Sequence, residues 1–238
     1  MFARLLSVEF MKLRRKGVFA LAVIGPLGVV LLQAVNYGLR YDYLTRLYAS
    51  DPWGGLLGQV SSLAVSALFI GLALIASMSA GVEHTAGGWK QLLALPLTRV
   101  RVFAAKSATT LLLLLGSCTL LLVLTLAMGL LLGFEAGEIP MAKLLATVYL
   151  PYIAAMPFVA LQIGLSLTFG NQAVPMTVGT LGLVVSMFAV FLPDWVPYGW
   201  PGQTLEAAGR WRAVAGGAVG GLLLLAAGCG WFVRRDVS

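Results

Sequence analysis

Few residues in this chain could perform chemistry. Among its 238 residues are one histidine, two cysteines and nine acids. His84 follows Glu83, but a metal centre such as H-E-x-x-H needs a second histidine one helical turn on, and none is present. No resident metal is therefore expected. Cys118 and Cys229 sit inside apolar runs, where lone thiols act as small hydrophobes rather than as a disulfide. No G-x-x-x-x-G-K-[ST] loop is present to cradle nucleotide phosphates. A membrane aspartyl protease would need two buried acids and a membrane serine protease a deep histidine, and the apolar runs supply neither. What remains is charge at the ends of those runs: Glu83, Arg99 and Lys106 around one loop, and Glu9, Lys12 and Arg14 near the start.

The elements that must position these charges follow from composition. Hydrophobic residues make up 60% of the chain and charged residues 11%, with a mean hydropathy of +0.93. Soluble domains carry about 25% charged residues, and a globule this small could not hide so much apolar surface. The sequence predicts an all-α integral membrane protein forming a single transmembrane domain over 1–238. A soluble enzyme, a disordered chain and a disulfide scaffold are excluded. The net charge of +7 reflects membrane orientation, and no nucleic-acid partner is expected. A bilayer core of ~30 Å needs about 20 apolar residues per helix. Uncharged stretches predict six transmembrane helices, at approximately 17–39, 57–82, 107–133, 144–169, 174–193 and 213–233. The fourth and fifth are separated at the polar turn Gly170-Asn171-Gln172. The first is too long for the core of a cleaved signal and is read as a retained span.

With both termini cytoplasmic, eleven of the 16 basic residues fall on inner segments, and six of the nine acids fall outside. That asymmetry sets the expected orientation. Tyr37, Tyr41, Tyr43, Trp53, Trp195, Tyr198 and Trp200 are expected near the outer surface as an aromatic belt.

Two inner segments are amphipathic. Within 84–96, Trp89, Leu92 and Leu93 share one helical face, Pro96 ends the helix, and Arg99, Arg101 and Lys106 follow. The segment 1–16 places Leu6, Phe10 and Leu13 on one face and basic residues on the other, as an interfacial helix against anionic lipid would. Both patterns fit ordinary interfacial anchoring, and the loop also fits a helix that docks in a partner's groove.

Together these residues carry a family resemblance. The run Glu83-His84-Thr85-Ala86-Gly87-Gly88-Trp89-Lys90-Gln91-Leu92-Leu93-Ala94-Leu95-Pro96-Leu97-Thr98-Arg99, with Lys106 beyond, resembles the ABC-2 type permeases, as does Glu9-Phe10-x-Lys12-Leu13-Arg14. The compact six-span layout is most similar to the permeases of lantibiotic immunity and bacitracin resistance. The resemblance implies an exporter in which two permeases, identical or not, pair above two separate ATPase subunits. ATP and magnesium would be bound by those partners, with no cofactor in this chain. It further implies that Glu83, Trp89, Leu92, Leu93, Pro96, Arg99 and Lys106 form the element coupled to the ATPase, with Glu9, Phe10, Lys12 and Arg14 on the interfacial helix.

The spans contain no charge, so a titrating carrier mechanism is disfavoured and an amphipathic cargo is expected. Gln33, Asn36 and Gln162 are the strong polar side chains at depth, candidates for either interhelical bonding or the substrate path. Gly216, Gly217, Gly220 and Gly221 form overlapping G-x-x-x-G patterns for close helix packing, within the chain or across a dimer. Alternative readings are a non-transporting scaffold that holds a cytoplasmic enzyme or sensor, and an ABC permease for a lipid-linked glycan or a small drug.

Overall fold

The apolar runs become helices. The computed structural model describes residues 2–14, 16–85 and 97–234, and every regular element among them is helical. Helix α1 (Phe2–Arg14) joins α2 (Val18–Leu47) through Gly17, whose φ of 74° is a left-handed conformation suited to glycine. Helix α2 loses helical geometry at Arg40 (φ −131°, ψ 31°), one residue beyond the span expected at 17–39, and then continues to Leu47.

Helix α3 (Pro52–Thr85) opens on a proline, whose missing N–H is harmless in a first turn, and the Gly54 N–H donates to Asp51 Oδ1 at 2.7 Å. Helix α4 (Arg99–Leu131) closes at Gly133 (φ 84°), where Phe134 N–H donates to Gly129 O and Gly133 N–H to Leu130 O.

Helices α5 (Met141–Ala154) and α6 (Met156–Thr168) are two halves of the run expected as one span at 144–169, bent by 45° at Ala155. Pro157 has no N–H to offer the Ile153 carbonyl and crowds it, which breaks the helix there. The chain continues through α7 (Ala173–Met187), the short α8 (Trp200–Gln203) and α9 (Arg210–Arg234).

Four helices, α2, α3, α4 and α9, are long and apolar enough to cross a membrane, and the bent α5–α6 pair is a fifth candidate. The expectation of a full helix at 174–193 needs correction. Helix α7 has 15 residues, about 22 Å of rise against a core of ~30 Å. Pro193 holds Leu192 extended (φ −93°, ψ 147°), and the preceding residues tighten into a 3-10 turn at Ala189–Phe191. Beyond it the chain turns inward. Tyr198 packs on Phe158 with ring centroids 4.5 Å apart, and Gly199, Pro201 and Thr204 are buried.

The aromatic belt also needs correction at two positions. Tyr37 and Trp53 are 1% and 2% exposed, so they belong to the core, whereas Tyr41, Tyr43 and Trp195 are exposed. The Trp53 Nε1–H donates to Glu135 O at 3.1 Å, and its ring fills space that only a glycine at 129 leaves open.

Helix α3 is the hub, packing on α2, α4, α5, α6 and α7, while α9 packs on α5 and α6. A Cβ at Gly217 would overlap Ala154, and one at Gly221 would overlap Met156. The Ile153 carbonyl, released by Pro157, lies 2.6 Å from the Cβ position of Gly217. Gly216 and Gly220 meet the Trp200 ring and Pro157. Small residues thus seat α9 against the bend within one chain, where packing replaces the hydrophobic drive that lipid removes.

Candidate functional site

One end of the bundle gathers α1, the last turn of α3, the first turns of α4, the α6–α7 turn and the end of α9. Four charged residues meet there. Glu9 and Lys12 come from α1, one turn apart. Glu83 comes from the last turn of α3, and Lys106 from α4, two turns beyond Arg99. Lys106 Nζ lies 2.7 Å from Glu9 Oε2 and 2.6 Å from Glu83 Oε2. Lys12 Nζ lies 3.1 Å from Glu9 Oε1 and 3.1 Å from Glu83 Oε1. The result is a closed ring of alternating charge with no net charge, in which every carboxylate oxygen accepts a hydrogen bond.

Burial divides the ring. The side chains of Glu9, Glu83 and Lys106 are 3–4% exposed, whereas that of Lys12 is 33% exposed. Burial alone would raise the Glu9 pKa, but the Lys106 ammonium, its hydrogen bond and then Lys12 outweigh it and hold the carboxyl below its ordinary 4.5. For Lys12, burial favours the neutral amine, but Glu9 and Glu83 outweigh it and raise the pKa above 10.5. Glu9 and Lys12 are therefore both charged at neutral pH. A buried network of this kind is sensitive to deletion, because removing one partner strands the opposite charge at a cost of about 3–5 kcal/mol.

The end of α3 is also held on its other side. His84 Nε2 lies 3.1 Å from Ser166 O on α6. A carbonyl only accepts, so Nε2 carries the proton. Gln172 donates to Ser166 O and to Phe169 O, closing the α6–α7 turn beside it. At the start of α4, Arg99 Nη1 donates to Val233 O of α9 at 3.0 Å. Glu83 and His84 at the end of α3 and Arg99 at the start of α4 are thereby tied to α1, α4, α6 and α9.

Sequence reasoning placed Glu9 and Lys12 on one surface helix and Glu83 and Lys106 around a separate loop. The structure joins them. The signal was present in α1: Glu9 lies four residues before Leu13, on the buried stripe, where a charge requires a partner. The His84–Ser166 contact was missed, and no spacing in the sequence announces it. Phe10 packs on Phe19 with ring centroids 6.0 Å apart, and Arg14 is exposed. The coupling residues Trp89, Leu92, Leu93 and Pro96 lie outside the described residues, as does most of the helix expected at 84–96.

The polar residues at depth are engaged between helices. Gln33 Nε2 donates to Gln59 O on α3 at 2.9 Å, and Asn36 donates to Gln33 Oε1. Gln162 Nε2 donates to Pro175 O on α7 at 2.7 Å and to Ser77 Oγ on α3 at 3.3 Å. Among the described residues, no three His, Cys, Asp or Glu gather where they could hold a metal ion.

The chain matches the family model described as ABC-2 family transporter protein over residues 5–188, more than three quarters of its length. It belongs to that family. All four residues of the charged ring fall within the matched part, while the glycines of α9 lie beyond it. The ABC-2 chain is accordingly a multi-pass membrane protein, the permease component of an ABC transporter, and membership implies an ABC ATPase partner. No curated protein matches the permease.

Proposed function

We propose that this permease pairs with a second permease above two ATPase subunits and exports amphipathic compounds, peptide antibiotics of the lantibiotic or bacitracin type foremost. In this reading the termini and the charged ring face the cytoplasm. Helix α7, with the turns that follow it, completes a sixth crossing. The ATPase docks on the helix expected at 84–96 and holds ATP and magnesium itself. The carrying observation is the ring of Glu9, Lys12, Glu83 and Lys106, in which Glu83 belongs to the last turn of α3, next in sequence to that segment. A pull on the loop reaches α3 through Glu83, α4 through Lys106 and α1 through Glu9 and Lys12, and α1 continues into α2 through Gly17. His84 passes the same displacement to α6.

An apolar groove on the flank of the bundle supports an amphipathic cargo. A groove of about 320 Å³ opens between α2 and α3, walled by Leu21, Ile24, Gly25, Gly28, Ile70 and Gly71, and it presents almost no polar surface. An ion or a sugar would lose its hydration there without replacement, whereas an acyl chain or an apolar peptide face would not. At the other end, a more polar crevice of about 460 Å³ includes Lys143, Arg210 and Ser61. It offers polar groups to a cargo's hydrophilic portion on departure.

The test is co-purification of the tagged permease from native membranes with its ATPase. Trp89→Ala and Leu92→Asp should leave the permease inserted yet release the ATPase, because truncating or charging a buried anchor typically costs a contact several kcal/mol. ATP-dependent export of the peptide antibiotic nisin from cells should fall in parallel. Full ATPase retention with both variants, or transport driven by a pH gradient alone, would overturn the reading.

A further inference from the structure

We infer that the groove between α4, α6 and α9 is a binding site for an anionic phospholipid, with one acyl chain between the helices and the phosphate on arginines at the charged end. The groove encloses about 390 Å³ and is walled by Phe103, Leu161, Gly164, Leu165, Leu224 and Trp231. Its length matches a single leaflet. Along α6 it runs from Ala160 to Thr168, and along α9 from Leu224 to Phe232. Each is about 12 Å of helix, close to half of a ~30 Å hydrocarbon core. Phe103 and Phe232 line it at the arginine end, with ring centroids 5.8 Å apart.

Charge decides which lipid fits. Arg99 stands one turn before Phe103 on the same side of α4, and its guanidinium reaches Val233 O beside Phe232. Arg234 follows on α9 and is exposed. Trp231 is 66% exposed at the same level, where an indole sits between headgroups and hydrocarbon. Two guanidiniums bring positive charge to one end of an apolar slot one leaflet deep: that of Arg99, one turn from Phe103 and already donating to Val233 O, and that of Arg234, one turn from Trp231. They attract a phosphate carrying net negative charge over a zwitterionic headgroup.

Native mass spectrometry of the detergent-purified full chain, titrated with phosphatidylglycerol or phosphatidylcholine, tests it. The chain should retain phosphatidylglycerol preferentially. Arg234→Gln should reduce that preference roughly five-fold, the weight of one cation near an anionic surface. Gly164 has nothing within 4 Å of its Cβ position, so Gly164→Leu fills the slot without a clash and should reduce retention of both lipids. Equal retention of the two lipids, or retention unchanged by Gly164→Leu, would overturn the inference. So would efficient disulfide formation between two Gly164→Cys chains in native membranes, since a second copy would then occupy the groove.

Discussion

Lysine–carboxylate pairs occur at both ends of this permease, and they differ in everything except their chemistry. At one end Lys106 touches Glu9 and Glu83 with all three side chains 3–4% exposed. At the other, Lys143 lies 3.3 Å from Asp51 and Arg212 lies 2.8 Å from Asp194, with side chains 54–71% exposed. The exposed pairs are screened by water and are worth less than about 1 kcal/mol each. The buried ring repays its desolvation only while all four members are present. Hydrogen-bond length therefore says little about weight. The 2.8 Å Arg212 pair can be lost with little consequence, whereas the Lys106 pairs hold three helices in register.

Lys106→Met should have the largest effect. It leaves two buried carboxylates sharing one half-exposed lysine, and stability should fall by about 3–5 kcal/mol. Thermal unfolding in detergent measures the loss, and limited proteolysis after α1 should show that helix detaching. A variant as stable as the parent chain would mean the ring is not a structural clamp.

Acidification should act next, and at the buried end. The Glu9 pKa is lowered, so its contribution is complete above its unfolded value near 4.5 and is lost as pH falls through the folded value. Lys12 has a raised pKa, so its contribution is complete below 10.5 and is lost as pH rises through the folded value. A fluorophore on α1 should accordingly report release at acid pH below 4.5 and a second loosening in strong alkali, with a plateau between. Release of α1 near pH 7 would contradict the charged ring.

The smallest effect belongs to Lys143→Met at the exposed end, expected to change stability by less than about 1 kcal/mol. High salt should reduce the difference further. If its loss rivals that of Lys106→Met, burial is not what separates the two ends.

Much of the candidate site was legible in the chain, but in pieces. Glu83, Arg99 and Lys106 were visible as charges flanking a loop, and Glu9 and Lys12 as part of an amphipathic start. Their convergence was not visible. Glu9 and Lys106 are 97 residues apart, and no periodicity links them. Gln162 could be read as a polar side chain at depth, but its acceptor is Pro175 O across a helix turn. The aromatic residues show the same limit. Trp53 and Trp195 both lie near the ends of apolar runs, yet one is core and the other exposed.

By itself, the sequence determined what depends on one segment at a time. Uncharged length makes a run of residues helical and lipid-soluble, because the backbone must satisfy its own hydrogen bonds where water is absent. The polar stretch Gly170-Asn171-Gln172 marks the turn between α6 and α7. The tertiary structure decided everything that depends on where two segments meet. It seated the bend that Pro157 makes in the fourth run on Gly217 and Gly221. It folded Tyr198 inward onto Phe158. It also moved Glu9 from a surface helix into a ring with Lys106. A charge is drawn to its counter-charge across any length of chain, and only the packed bundle determines which one it finds.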